Sequence, residues 1–151
     1  MTTLGYHAFL KGLPTHVTLP ATIRLKFHQP HRWLLQAYDQ DRRVHYEVQR
    51  IPHRGDFEVG LHFESRNKGL NSHMLKQFLR RMFEIHAELG ESVVAEQWDK
   101  GWTKLYEVVS AEPLTADFQA ELGRRITRFI TCIHPILQQL YDTPVRRREF
   151  R

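Results

Sequence analysis

RVHYEVQRI at residues 43–51 and FEVGLHFE at residues 57–64 decide the fold. Both alternate with period two. Val44, Tyr46 and Val48, then Phe57, Val59, Leu61 and Phe63, take one side, while His45, Glu47, His62 and Glu64 take the other. That is the pattern of half-buried β-strands. The intervening Pro52-His53-Arg54-Gly55-Asp56 is rich in turn formers, so the two strands pair as an antiparallel hairpin. Two His-x-Glu triplets then share one face. Pairing Val48 with Leu61 and Tyr46 with Phe63 keeps apolar beside apolar. This register sets His45 opposite Glu64 and Glu47 opposite His62, with facing β-carbons about 5 Å apart. A register two residues away keeps the faces but pairs Glu47 with Gly60 and gives up both charged pairs.

Working outward, Trp33 to Tyr38 reads as a strand and Asp39-Gln40-Asp41-Arg42 as a turn. Before it, Tyr6 to Leu13 reads as a short helix, and Pro20 to Gln29 as a helix or, over Thr22 to Phe27, a strand that Pro30 ends. After the hairpin, Leu75, Phe78, Leu79, Met82, Phe83 and His86 recur at three-to-four spacing. That spacing predicts one helix over 72–89, capped by Asn71 or Ser72 and stopped by Gly90. Val93–Trp98 and Trp102–Val109 read as a second hairpin, turned by Asp99-Lys100-Gly101. Thr115 caps a last helix with the stripe Phe118, Leu122, Ile126, Phe129/Ile130 and Ile133, and Pro135 is expected to kink or break it. The order β-β-β-α-β-β-α predicts an α+β domain. An antiparallel sheet of about five strands has two main helices on its apolar face and a polar face left over. One domain over 1–143 and a basic, flexible tail over 144–151 complete the organisation.

The four residues His45, Glu47, His62 and Glu64 are the candidate polar centre. As cross-strand contacts they contribute under ~1 kcal/mol each. Clustered imidazoles and carboxylates also bind zinc, iron or manganese, or exchange protons near neutral pH. No His-Glu-x-x-His segment, paired cysteine or Gly-rich phosphate loop accompanies them, so no cofactor is predicted and a divalent metal stays as the alternative. Nucleases that hold a metal on a central hairpin place an acid two residues before another acid or a lysine. Glu47-Val48-Gln49 and Asp56-Phe57-Glu58 are imperfect versions of that motif. Trp98 and Trp102, beside Lys104 and Tyr106, would form a base-stacking platform if exposed; packing of the hairpin end against a helix is the expectation. Trp33 and Cys132 are expected in the core, and His86 and His134 as satisfied histidines near apolar faces.

The stretch from Phe57 to about Pro135 carries Glu58-Val-Gly-Leu-His-Phe-Glu64, Phe83-Glu-Ile85, Leu89-Gly-Glu91, Glu96-Gln-Trp98 and Leu105-Tyr-Glu107. In these short pieces, over roughly half the chain, it resembles a bacterial domain family of unknown function often found at the C-terminal end of longer proteins. The resemblance implies an antiparallel sheet with two helices and a bacterial source. It assigns no activity or catalytic residue, and through the family's neighbours in DNA-processing proteins it leans toward nucleic acid.

Composition bounds the rest. The chain has 151 residues, 41% hydrophobic and 26% charged, enough for one soluble globular domain. No stretch approaches the ~20 apolar residues of a membrane span, and no secretory signal is read at the start. The single Cys132 has no internal disulfide partner, which favours a cytoplasmic compartment. The net charge is +5, of which the last ten residues carry +2 through Arg146, Arg147, Arg148 and Arg151 against Asp142 and Glu149. The expected function is a bacterial cytosolic binding domain. It would contact nucleic acid, a protein partner or a second copy through the polar sheet face and the arginines. Arg124, Arg128, Arg146, Arg147 and Arg148 are the candidate phosphate contacts. The alternative is a metal-dependent hydrolase or nuclease built on the four-residue cluster.

Overall fold

The computed structural model describes residues 2–142. It is an α+β fold with an open antiparallel sheet of six strands, one more than the sequence predicted. The chain begins with α1 (Tyr6–Gly12) and a 3-10 turn (Leu13–His16). Four sequential strands follow: β1 (Lys26–His31), β2 (Leu34–Tyr38), β3 (Val44–Arg50) and β4 (Phe57–Phe63). Then come α2 (Lys68–Leu79), α3 (Met82–Leu89), β5 (Val94–Gln97), β6 (Thr103–Val109) and α4 (Ala116–Asp142). The strand order is β1-β2-β3-β4-β6-β5, with every pairing antiparallel. β4 therefore lies inside the sheet, between β3 and β6.

The extra strand is β1, which runs through Pro30 instead of ending there. Proline has no amide hydrogen to give a ladder, so it is tolerated on an edge strand. β1 is such an edge, and its register with β2 slips between His28 and His31.

One face of the sheet is apolar. Leu35, Ala37, Tyr46, Val48, Phe57, Val59, Leu61, Phe63 and Leu105 are buried there with Phe9, Leu10, Met74, Phe78, Ile85 and the stripe of α4 from Phe118 to Leu137. The α4 stripe is the one expected, and Thr115 Oγ1 accepts from the Phe118 amide as its cap. α4 continues through Pro135 to Asp142 instead of breaking. Proline costs one backbone bond, but the apolar residues Ile136 and Leu137 beyond it are buried and hold the last turns against the core.

The single helix predicted over 72–89 is two helices. Asn67, four residues before the expected cap, accepts from the Leu70 amide and starts α2. At Arg81 the backbone leaves the helical region (φ −105°, ψ 5°), and α3 starts at Met82. The break rotates the predicted stripe. Phe78 and Ile85 are buried, whereas Leu79 is half exposed and Phe83 is 92% exposed. Trp33, expected in the core, is 50% exposed, and Cys132 is only partly buried. No helix among the described residues is long and apolar enough to cross a membrane. The tail arginines Arg146, Arg147 and Arg148 lie outside the described residues.

Candidate functional site

The polar face of the sheet carries Gln36 on β2, His45 and Glu47 on β3, Glu58 and His62 on β4 and Lys104 on β6, with Glu64 just past the end of β4. The hairpin register differs from the expected one by two residues. His45 pairs with His62 and Glu47 with Gly60, while Tyr46 faces Leu61 and Val48 faces Val59. A two-residue shift leaves every side chain on its own face, so the titratable and apolar sides stay segregated. Gly60 also governs the contact of β4 with β6. A β-carbon there would lie 2.8 Å from Tyr106 Cβ and 2.9 Å from the Leu105 carbonyl oxygen, so the position admits no side chain.

The shift puts the imidazoles side by side, their rings stacked at 5.5 Å and 17°. Carboxylates then reach them diagonally. Glu47 Oε1 lies 3.2 Å from His45 Nε2, and Glu47 Oε2 lies 3.5 Å from His62 Nε2. Glu64 Oε2 is 3.0 Å from His62 Nδ1 and 3.9 Å from His45 Nε2. One donor atom from each of His45, Glu47, His62 and Glu64 can be chosen so that all lie within 4.8 Å of one another. The cluster is interior: His62 is 1% exposed and His45 3%. Strand neighbours flank His62, and the Trp98 ring meets its ring edge-to-face at 5.6 Å.

Three residues outside the predicted four-residue centre complete the site. Glu58 accepts from His62 Nε2 at 3.0 Å and from Lys104 Nζ at 2.6 Å. Gln36 Nε2 lies 3.3 Å from both His45 Nε2 and Glu47 Oε1, placed to donate to either. Lys104 also sits over the Trp98 and Tyr106 rings at 5.2 and 4.3 Å. Period two could have found Glu58 and Lys104, which share the polar phase of their strands. Gln36 carries no such mark, being a neutral amide on a strand two away from β4.

The outer contacts fix the inner ones. The Arg42 carbonyl can only accept, so His45 Nδ1 donates to it at 2.7 Å and Nε2 is the nitrogen turned toward Glu47 and Glu64. At the other end, the buried Asn71 side chain accepts from the Ser65 amide. It donates to the Ser65 and Gly101 carbonyls and so joins the segment after Glu64 to the turn after Trp98. Trp98 Nε1 is buried without an acceptor.

Electrostatics follow from this packing. Burial alone would lower the His62 pKa, but hydrogen bonds to Glu58 and Glu64, with the charge of Glu47, outweigh it and raise it to about 9. Burial works to raise Glu47 and Glu58 as well. Bonds and charge from the histidines, aided at Glu47 by Gln36 and at Glu58 by Lys104, win and hold both below the ordinary value.

The arginines lie elsewhere. α4 crosses the apolar face, so the sheet itself separates Arg124 and Arg128 from the polar centre. Arg124 is exposed, and Arg128 donates to the Glu88 carbonyl on α3. Arg125 makes a two-pronged contact with the buried Glu107 on β6. His134 Nδ1 hydrogen-bonds with the buried Tyr46 hydroxyl at 2.9 Å, and His86 bonds the Val93 carbonyl. Asp56 pairs with Arg54 and accepts from the Ala111 amide, which leaves it outside the centre.

Comparison with family models, with curated proteins and with solved structures found no match to this chain.

Proposed function

We propose that this chain is a divalent-metal-binding domain whose centre is His45, Glu47, His62 and Glu64. The observation that carries the proposal is the meeting of four nitrogen and oxygen donors within 4.8 Å on adjacent strands, with the far nitrogen of each imidazole tied to a fixed acceptor. A tetrahedral ion with bonds of about 2.0–2.1 Å spaces its donors about 3.3–3.4 Å apart. With His62 facing the cluster through Nδ1, the 3.0, 3.2 and 3.9 Å separations bracket that spacing. Metal-bound histidines ordinarily donate their second ring nitrogen to a carbonyl or carboxylate. Here the Arg42 carbonyl serves His45, and Glu58 is placed to serve His62 through Nε2.

Electrostatics support the same reading. With Nδ1 donating to Arg42, His45 presents Nε2 to two carboxylates, and a cation seated among these donors would attract all three. A two-histidine, two-carboxylate set suits zinc, iron(II) or manganese(II) over calcium or magnesium, which take oxygen ligands.

A second reading has its own observation. Both ring nitrogens of His62 lie 3.0 Å from carboxylate oxygens, so a protonated His62 satisfies them as a buried ion network that needs no metal. Metal analysis of protein purified without an affinity tag separates the two. About one transition-metal ion per chain, lost in Glu47→Ala and in His62→Ala, is the expected result. No ion retained, and none bound on titration with zinc or manganese, leaves the ion network.

A further inference from the structure

Away from the polar centre, a groove of about 930 Å³ opens between α1 and the β1–β2 turn. Its volume lies in the range of about 300–1,000 Å³ typical of ligand sites. Tyr6 and His7 line one wall, His31, Arg32 and Trp33 another, and Arg50 the floor. No aspartate or glutamate is among the lining residues, and nearby Asp56 is held by Arg54 at 2.8 Å.

Two features suit this groove to a ligand. The Arg50 guanidinium lies 3.9 Å over the Tyr6 ring, and its Nε is buried without a hydrogen-bond partner. Burying an unsatisfied donor of a charged group is unfavourable, so this cation is held in place yet under-used. Trp33 is 50% exposed at the tip of the turn, with His31 stacked against it at 6.0 Å and 23°. An exposed indole beside two arginines offers a flat face and positive charge together. That combination recognises a phosphate carrying an aromatic base.

We propose that this groove binds nucleotide units of single-stranded nucleic acid, with a base stacked on Trp33 and phosphate held by Arg32 and Arg50. Aromatic stacking accepts any base, and the guanidiniums read phosphate alone, so the site is selective for strandedness and not for sequence. The inference is independent of the metal centre. Arg50 points to the helical side of β3, and the centre lies on the opposite face.

The test is fluorescence anisotropy with a labelled oligothymidylate of about ten nucleotides, a length within the site sizes of single-strand binders. A duplex of equal length and free thymidine monophosphate serve as competitors. The single strand should bind with an affinity that falls with salt. Trp33→Ala should weaken it at least about fivefold while Trp33→Phe retains it. Arg32→Ala should reduce the salt slope by about 0.7, the share of one phosphate contact. All three changes are at exposed positions and leave the fold intact. Competition by the monophosphate at strand-like affinity assigns the groove to free nucleotides of the same chemistry. Equal competition by duplex, whose bases cannot stack on Trp33, overturns the proposal. So does affinity unchanged in Trp33→Ala and Arg32→Ala, or no binding up to about 1 mM, weaker than ordinary non-specific association.

Discussion

Replacing Glu58 by glutamine tests how the polar centre is held, because it keeps the shape and removes the charge. Glu58 gives one carboxylate oxygen to His62 Nε2 at 3.0 Å and the other to Lys104 Nζ at 2.6 Å. Glutamine has one acceptor and one donor. Whichever way the amide turns, its NH2 faces another donor, either the imidazole or the ammonium. Losing one charge-assisted bond in a buried site costs about 1.5–3 kcal/mol. At about 2–4 °C per kcal/mol for a domain of this size, the metal-free protein should melt about 3–12 °C lower. Metal affinity should fall as well, by the 10- to 100-fold usual when an outer partner of a ligating histidine is removed, or about 1.4–2.7 kcal/mol. Chelator competition measures the second quantity and paired thermal melts the first. A third readout is the His62 titration by NMR in metal-free protein, whose midpoint should drop from about 9 as one of its three anionic neighbours is neutralised. Affinity and melting temperature both unchanged would refute the chain of contacts from Lys104 through Glu58 to His62 as the support of this site.

Gly60→Ala should destabilise the fold although alanine is the better strand residue. The added β-carbon meets Tyr106 and the Leu105 backbone inside 3.0 Å, so overpacking of about 1–3 kcal/mol outweighs the several tenths gained by removing glycine; urea unfolding measures the balance. Stability should also depend on pH through His134. Burial lowers its pKa, and the ring hydrogen-bonds with the Tyr46 hydroxyl through Nδ1 at 2.9 Å. A histidine with a folded pKa below its unfolded value stabilises fully above about 6.5 and loses that contribution as pH falls through the unfolded value toward the folded one. His134→Gln should flatten the difference between stability at neutral and mildly acidic pH, and an unchanged slope would assign the dependence to other groups.

The hairpin was legible because period two records which face each residue takes, and both faces matter to folding. Which residue faces which was not legible. Registers two apart satisfy the pattern equally, and the choice between them rested on pairing opposite charges. That choice assumed that directly opposed side chains make the strongest contacts. In a long-armed His–Glu set the diagonals matter as much: Glu47 reaches both imidazoles at 3.2 and 3.5 Å while sitting opposite a glycine. The error moved partners without dispersing them, since parity was preserved.

The helix errors have another source. A three-to-four spacing through Leu79, Met82 and Phe83 reads as one stripe only while the backbone stays helical, and neither Arg80 nor Arg81 carries a breaking signal of the kind glycine or proline gives. Tertiary contacts place α2 instead. Asn71, which looked like a cap, is 1% exposed and bonds two loops, and this fixes where α2 starts and runs. Phe78 and Ile85, seven residues apart, keep one face across the break and are both buried, whereas Leu79 and Phe83 are turned outward. The same contact matters to the site, because Asn71 sets the segment following Glu64 against the turn that follows Trp98. A residue whose sequence signal was local thus acts at long range, joining the helical layer to the polar face of the sheet. Asn71 therefore couples the packing of α2 to the placement of Glu64 and to the Trp98 ring over His62, which strand periodicity alone does not fix.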